Sequence, residues 1–183
     1  MIASIITKIQ SISKKKELLL IAIDGVGGSG KTTLANNLQR NLSNCIIIQT
    51  DDLYSPELHT SDILRIKEQV ILPLYNGKEA RYQKYDWKTD SLSDWQTIRP
   101  NGIIIIEGVF ALDNRIIEYY DLKIWIEYPP ELGFKRGVAR DITGDGVDNS
   151  DKWIRDWMPL EKQYINDQNP KSKADYVING DEV

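Results

Sequence analysis

The chain has 183 residues and a formal net charge of −4 at pH 7, and its length is typical of a single domain. The acidic balance argues against a nucleic-acid partner or a membrane surface, because both are bound by basic patches. One cysteine, Cys45, excludes an internal disulfide, and one histidine, His59, excludes a histidine-rich metal site. We expect one domain over residues 1–183 and leave homo-oligomerisation open.

Residues 1–13 carry isoleucines at positions 2, 5, 6, 9 and 12. This spacing predicts an amphipathic helix and differs from the continuous apolar block of a signal peptide. Nowhere does the sequence approach the run of about 18 apolar residues that a membrane span requires. We therefore expect a cytoplasmic protein without a membrane partner.

Short apolar runs along the chain predict buried parallel strands at 18–23, 45–48, 103–106, 122–126 and 175–178. Helical patterns lie between them at 31–42, 61–74, 130–142 and 150–165. This alternation predicts an α/β fold of three layers, in which helices cover both faces of a parallel central sheet of about five strands. Residues 76–101 and 143–150 are predicted to be irregular. Ligands of such sheets lie beyond the carboxyl ends of the strands, so site residues are sought there.

A glycine-rich motif of the form G-x-x-x-x-G-K-[ST] directly follows the first predicted strand. Its glycines allow backbone N–H groups to surround phosphate oxygens, and the next helix adds its positive end. The lysine suits the phosphates and the hydroxyl suits Mg²⁺. The sequence therefore predicts a P-loop NTPase fold that binds ATP and Mg²⁺. The predicted nucleotide-binding residues are Gly25, Val26, Gly27, Gly28, Ser29, Gly30, Lys31, Thr32 and Thr33.

The same segment also satisfies the dinucleotide pattern G-x-G-x-x-G, with Asp51 near the position of a ribose-binding acid. The Lys31-Thr32 pair after the last glycine favours the phosphate loop of an NTPase. An NAD-dependent oxidoreductase stays as an alternative, which a comparison of ATP and NAD binding would separate.

Acidic residues follow two of the other predicted strands. Asp51 and Asp52 come after 45–48, and Glu107 comes after 103–106. Mg²⁺ prefers oxygen ligands, and a kinase needs an acceptor for the proton of the attacking hydroxyl. We predict Asp51 as the catalytic base and a partial metal ligand, and Glu107 with Thr32 as metal ligands. The alternative for each acid is a capping role at the following turn or helix.

Arg136 and Arg140 are four residues apart, and so they share one face of the helix predicted at 130–142. The glycines that follow are typical of a mobile lid, which we place at about 134–150. Positive charge brought over a transferring phosphate stabilises the transition state, so both arginines are predicted to be catalytic, together with Lys31. A solvated helix face is the alternative.

Aromatic residues form two groups. Tyr85, Asp86 and Trp87 lie before the strand at 103–106 and are candidates for contacts with a planar or sugar-like substrate, although they could equally fix the loop. Trp153 and Trp157 are four residues apart on a predicted helix, and this spacing favours core packing over base stacking.

Together these residues resemble the phosphoribulokinase/uridine kinase family of P-loop kinases over residues 18–180. The phosphate loop, the segment TDDLY at 50–54 and the segment IIIIEG at 103–108 carry the resemblance most specifically. The segments YDW at 85–87, RGVARD at 136–141 and KADYVING at 173–180 also resemble family elements. The resemblance implies that Asp51 is the base, that Tyr54 belongs to the substrate pocket, and that Glu107 assists Mg²⁺.

Some positions depart from the pattern of uridine kinases. Gly137 stands in place of a lid arginine, Asp145 in place of another, and Asp90 in place of a histidine. The resemblance implies an ATP-dependent kinase that phosphorylates a hydroxyl of a small molecule, with uridine or cytidine first and pantothenate or another alcohol next. The departures keep open a nucleotide-binding regulatory protein with weak or no turnover.

Overall fold

The computed structural model describes residues 1–54, 62–86 and 89–183. Its central sheet has five parallel strands in the order β2-β5-β1-β6-β7. The apolar runs form this sheet because side chains on both of its faces are covered. Its strands are β1 (Leu18–Gly25), β2 (Cys45–Gln49), β5 (Gly102–Glu107), β6 (Leu122–Glu127) and β7 (Tyr176–Asn179).

The described helices cover both faces of the sheet. Two π-helical turns, at Lys67–Ile71 and Trp153–Trp157, join α3 to α4 and α6 to α7. Short 3₁₀ turns occur at Thr50–Asp52, Ile117–Tyr119 and Pro170–Lys173. The α-helices are α1 (Ile2–Ser13), α2 (Lys31–Asn41), α3 (Asp62–Ile66), α4 (Leu72–Tyr75), α5 (Pro130–Asp145), α6 (Ser150–Lys152) and α7 (Met158–Gln168).

The three layers follow from the alternation of side chains along β1. Ile21 packs into one hydrophobic cluster with Ile5 and Ile9 of α1 and with residues of α2. Its neighbour Leu20 packs into a second cluster that contains residues of α3, α4 and Tyr164 of α7. The sheet therefore lies between two helical layers, and the predicted three-layer α/β fold is confirmed.

The prediction that residues 76–101 are irregular is wrong. Strands β3 (Ala80–Asp86) and β4 (Ser91–Ile98) form an antiparallel hairpin. Ala80, Tyr82 and Ile98 face the hydrophobic cluster of α3 and α4, whereas most of the other side chains are exposed. A hairpin with only one covered face needs few apolar residues, so its polar composition resembled that of a loop.

The prediction that residues 143–150 are irregular is also wrong in part. Helix α5 extends to Asp145 and ends at Gly146, which adopts φ 70° as a left-handed cap. Only residues 146–149 separate it from α6. Across the described ranges, none of the helices is long and apolar enough to cross a membrane.

Candidate active site

The candidate site lies at the carboxyl ends of β1, β5 and β2, which are neighbours in the sheet. Glu107 at the end of β5 is in register with Ile23 of β1 and with Gln49 of β2. The parallel order therefore brings the phosphate loop (residues 25–32), Asp51 and Glu107 to one edge, although they are distant in sequence. This is the edge where open α/β sheets bind their ligands.

The phosphate loop has the backbone that its glycines permit. Gly28 and Gly30 adopt φ values of 71° and 103°, in the region that side chains with a Cβ rarely enter. A Cβ on Gly28 would lie 2.1 Å from the carbonyl oxygen of Gly133 in α5. Helix α2 begins at Lys31, so its first N–H groups face the loop.

The polar side chains of the loop fit a phosphate ligand. Lys31 is 8% exposed, and its Nζ donates to the carbonyl oxygens of Gly25 and Val26 at 2.9 Å each. The Oγ of Ser29 is buried and has no hydrogen-bond partner within the described ranges. A buried hydroxyl without a partner costs free energy, and a phosphate oxygen would satisfy it. Thr33, by contrast, is exposed on α2.

A hydroxyl and a carboxylate meet beside the loop. The Oγ1 of Thr32 donates to Glu107 Oε1 at 2.9 Å, and Gln49 Nε2 donates to the same oxygen at 3.2 Å. Burial raises the pKa of Glu107, while the charge of Lys31 and the bond from Thr32 oppose that rise. Mg²⁺ usually keeps several waters and takes one or two protein oxygens, so this pair suits it. The described ranges hold no cluster of three or more histidine, cysteine or acidic residues suited to a metal.

Asp51 lies in the 3₁₀ turn after β2, close to the same groups. Loss of hydration raises its pKa, and the charge of Asp52 adds to the rise. The charges of Lys31 and Arg140 lower it. A carboxylate with a raised pKa is a better proton acceptor than an ordinary aspartate, which is the property expected of a general base.

The two arginines of α5 have separate partners. Arg140 Nη2 lies 2.9 Å from Asp141 Oδ1, and its charge acts on Asp51. Arg136 Nη2 lies 2.8 Å from Asp181 Oδ1, with its guanidinium 4.1 Å from the centre of the Tyr128 ring. The structure therefore brings Arg140 into the electrostatic surroundings of Asp51 and directs Arg136 towards the segment after β7.

The aromatic candidates occupy different surroundings. Tyr54 is buried, donates to the carbonyl oxygen of Val109 at 2.8 Å, and lines a cavity of about 110 Å³. The Tyr85 hydroxyl donates to Asp90, and Asp86 Oδ1 accepts from the backbone N–H of Thr89 at 3.3 Å. Trp87 and His59 lie outside the described residues.

Two acids that the sequence analysis did not single out hold the phosphate loop. Asp24 is fully buried and accepts hydrogen bonds from the Gly25 N–H of the loop at 2.6 Å, the Leu112 N–H at 2.8 Å and the Tyr164 hydroxyl at 2.7 Å. Burial raises its pKa to about 6. Glu161 of α7 accepts from the Gly27 N–H, with Oε1 and Oε2 at 3.1 Å and 3.2 Å.

Trp153 explains why α5 has a glycine at position 137. Cβ atoms built on Gly27 and Gly137 would lie 2.4 Å and 2.3 Å from its indole ring. The ring therefore fits between the phosphate loop and α5, and its Nε1 donates to Asp141 at 3.0 Å. Trp153 is 4% exposed, which confirms the expected core packing for this residue. A side chain at Gly137 would occupy the space of the indole.

Comparison with known proteins identifies related chains. Residues 52–181 match the model of the phosphoribulokinase/uridine kinase family. Uridine kinases of Staphylococcus aureus strains JH9 and Newman are each 28% identical over 185 residues, and the alignment covers 89% of this chain and 88% of theirs.

Solved structures share the fold. One is described as a possible uridine kinase from Bacillus stearothermophilus; it has a TM-score of 0.67 and 21% identity, with 96% of this chain and 99% of that chain covered. Another is the YGR205w protein, with a TM-score of 0.59 and 18% identity, covering 91% and 87% of the two chains. At these identities the structures establish the three-layer fold alone.

Proposed function

The chain belongs to the phosphoribulokinase/uridine kinase family of P-loop kinases, and from that premise we propose that it transfers the γ-phosphoryl group of ATP to a hydroxyl of a nucleoside, such as uridine or cytidine. The nucleoside is suggested by the uridine kinases that are 28% identical to it. Residues 1–183 act as one kinase domain, with a lid within 134–150.

The observation that carries this proposal is the contact between Thr32 and Glu107 beside Lys31. It joins a hydroxyl, a carboxylate and a buried ammonium at the mouth of a phosphate loop. The set fits a triphosphate with one divalent cation better than it fits a dinucleotide, whose two phosphates need no metal.

The chain's own groups divide the work of phosphoryl transfer. Backbone N–H groups of residues 25–32 and the Lys31 ammonium bind the phosphates, and Asp51 accepts the proton of the acceptor hydroxyl. That oxygen forms a bond to the γ-phosphorus as the bond between this phosphorus and the β–γ bridging oxygen breaks, and ADP leaves. Arg140 and Arg136 stabilise the charge that develops on the γ-phosphoryl oxygens. Mg²⁺, held by Thr32, Glu107 and Asp51, would neutralise charge on the phosphates.

Acceptor contacts come from two places. Tyr54 lines a cavity together with Phe110 and Tyr164, and Phe110 adopts φ 68° although it is not a glycine. Bulky residues in this backbone region are uncommon and are often found at ligand sites. The second set of contacts comes from Tyr85 and Asp86 of β3 and from Trp87, the next residue in the sequence.

The test is ADP release with a panel of alcohols that includes uridine, cytidine and pantothenate. We expect release that depends on a nucleoside in the wild type and a loss of at least about 100-fold in kcat for Asp51→Asn, because the base is removed while the shape is kept. Full activity in Asp51→Asn would show that the base assignment is wrong.

A second candidate is a nucleotide-binding regulatory protein with weak or no turnover. It is favoured by the ion pair of Arg136 with Asp181, which directs one lid arginine towards the segment after β7. ATP binding without phosphorylation of any alcohol in the panel would support this candidate against the kinase.

A further inference from the structure

Glu161 occupies a place where a phosphate ligand is expected. Its carboxylate oxygens lie 3.1 Å and 3.2 Å from the N–H of Gly27, the third residue of the phosphate loop. The N–H groups of such a loop are the ones that bind phosphate oxygens. The carboxylate of Glu161 therefore accepts a hydrogen bond from an N–H group that is also suited to a phosphate oxygen.

The carboxylate is enclosed by other elements of the site. Glu161 is 9% exposed, and a Cβ on Gly27 would lie 2.9 Å from its Oε1. The charged groups that act on it are Lys31 of α2, Asp24 at the end of β1 and Asp51 after β2. Only Lys31 is positive among them, so a triphosphate in the loop would add negative charge to a place that already holds three carboxylates.

Withdrawal of Glu161 from the loop is opposed by the next turn of its own helix. Tyr164, three residues further along α7, donates to the buried Asp24 at 2.7 Å. Both residues face the first strand and its loop, so α7 is attached at two points. The carboxylate can relieve repulsion more easily by taking a proton than by moving the helix.

We propose, on the basis of the kinase function above, that Glu161 is a positioning residue that takes one proton from solvent when ATP binds. Its unprotonated oxygen keeps the bond from Gly27, and its new O–H donates to a phosphate oxygen. Burial already raises the pKa of this carboxyl to about 6 in the free chain. A neighbouring phosphate raises it further, so the carboxyl is neutral in the complex at neutral pH.

The affinity for ATP should therefore fall as the pH rises. Above the pKa of the free carboxyl, each unit of pH makes protonation about tenfold harder, and ATP affinity falls accordingly until the pKa of the complex is passed. Glutamine has the shape of protonated glutamic acid, with one acceptor oxygen and an NH₂ donor. Glu161→Gln should therefore bind ATP about 10- to 100-fold more tightly than the wild type at pH 8, and about equally at pH 5.5.

The experiment is calorimetric titration of ATP in saturating Mg²⁺ at pH 5.5, 7 and 8, in two buffers with different heats of ionisation. Glu131→Gln is the matched control, since it removes an exposed charge from the first turn of α5. We expect the wild type and the control to take up close to one proton more per ATP at pH 7 than Glu161→Gln does. If Glu161→Gln fails to fold, the wild type alone still tests the inference. Uptake of close to one proton per ATP supports it, and no uptake contradicts it.

The other possible results of the ATP titrations contradict either the inference about Glu161 or the proposed kinase function. If Glu161→Gln and the wild type bind ATP with the same pH dependence and the same proton count, the inference is wrong and the kinase proposal is unaffected. Weaker binding by Glu161→Gln at every pH overturns it as well, because the charged carboxylate would then support binding. If neither the wild type nor Glu131→Gln binds ATP at any pH, the proposed function fails, and this inference fails with it.

Discussion

At the scale of residues, the site concentrates buried acids around one lysine. Asp24, Glu107 and Glu161 are each buried, and burial raises the pKa of each. Lys31 is the group whose charge opposes that rise in all three. The Glu107 side of this arrangement is suited to a ligand that brings its own cation, because the added positive charge would offset the Glu107 carboxylate.

Thr32→Val tests the proposed metal contact. The change keeps the shape of the side chain but removes the hydroxyl that donates to Glu107, so we expect Mg²⁺ to be held more weakly. The Mg²⁺ concentration for half-maximal activity should rise at least about tenfold, which corresponds to about 1.4 kcal/mol. Thr97→Val, an exposed change on β4, is the control. An unchanged Mg²⁺ requirement in Thr32→Val would refute this ligand assignment.

Tyr164→Phe tests the support of the phosphate loop. It removes the donor to the buried Asp24 carboxylate, and we expect the free energy of unfolding to fall by about 1–3 kcal/mol at pH 8. This bond stabilises the charged form of Asp24, whose pKa is about 6, so its contribution is present above that pH and is lost as the pH falls through it. Urea unfolding at pH 8 and pH 5 should show a larger loss at pH 8.

The control for this change is another buried tyrosine. Tyr120 is 6% exposed, and its hydroxyl has no hydrogen-bond partner in the ranges that the structure describes. Tyr120→Phe removes a buried hydroxyl without a partner, so it should not lower the free energy of unfolding, and its effect should be equal at the two pH values. A loss in Tyr164→Phe that is equal at both pH values would contradict the described role of the Asp24 bond.

At the scale of elements, the sequence predicted those strands and loops whose formation depends on residues that are neighbours in the chain. The strand at 103–106 is four consecutive isoleucines, and the phosphate loop is one contiguous motif, so both could be recognised without knowledge of the fold. The β3–β4 hairpin could not, because its apolar face has meaning only against α3 and α4. Alternation of buried Ala80 and Tyr82 around exposed Arg81 was the available indication.

The contacts of Asp24 and Glu161 were missed for a related reason. Glu161 meets Gly27 across 134 residues of chain, and Asp24 meets Tyr164 across 140. Nothing in the spacing of a single sequence reports such a contact. The available indications were a lone acid between a buried strand and a glycine-rich loop, and a glutamate three residues before a tyrosine on one helix face.

Gly137→Ala tests the fit of Trp153 between α5 and the phosphate loop. The added Cβ would lie 2.3 Å from the indole, so the ring must shift from its place between α5 and Gly27. We expect a loss of about 1–3 kcal/mol from overpacking and a weaker affinity for ATP. Chemical unfolding followed by tryptophan fluorescence, together with ATP titration, measures both effects.

Gly144→Ala is the matched control on the same helix. Apart from its chain neighbours and the backbone of its own helix, no atom of the described residues lies within 4 Å of the Cβ that it would carry. Alanine should therefore stabilise α5 by about 0.5–1 kcal/mol, because it restricts the unfolded backbone more than glycine does. If both substitutions had the same effect, the packing of Trp153 against Gly137 would not limit the choice of residue at that position.

At the scale of the whole molecule, the parallel order of the sheet assembles the site. Strand β1 supplies the loop, β5 supplies Glu107 and β2 leads to Asp51, and their carboxyl ends meet because the three strands are adjacent. Gly133 of α5, Trp153 of the π-helical turn and Glu161 of α7 then pack against the loop. The sequence predicted the first arrangement from its motifs, whereas the second depends on packing between distant segments.

The central claim is that the N–H groups of residues 25–32 bind a triphosphate with a cation against Thr32. The most direct measurement is a crystal structure of the chain with Mg²⁺ and an ATP analogue that cannot be hydrolysed. We expect phosphate density inside the loop, with Lys31 turned from the carbonyl oxygens of Gly25 and Val26 to the phosphates, and a cation bonded to the Thr32 hydroxyl. An empty loop with the analogue bound elsewhere would contradict it.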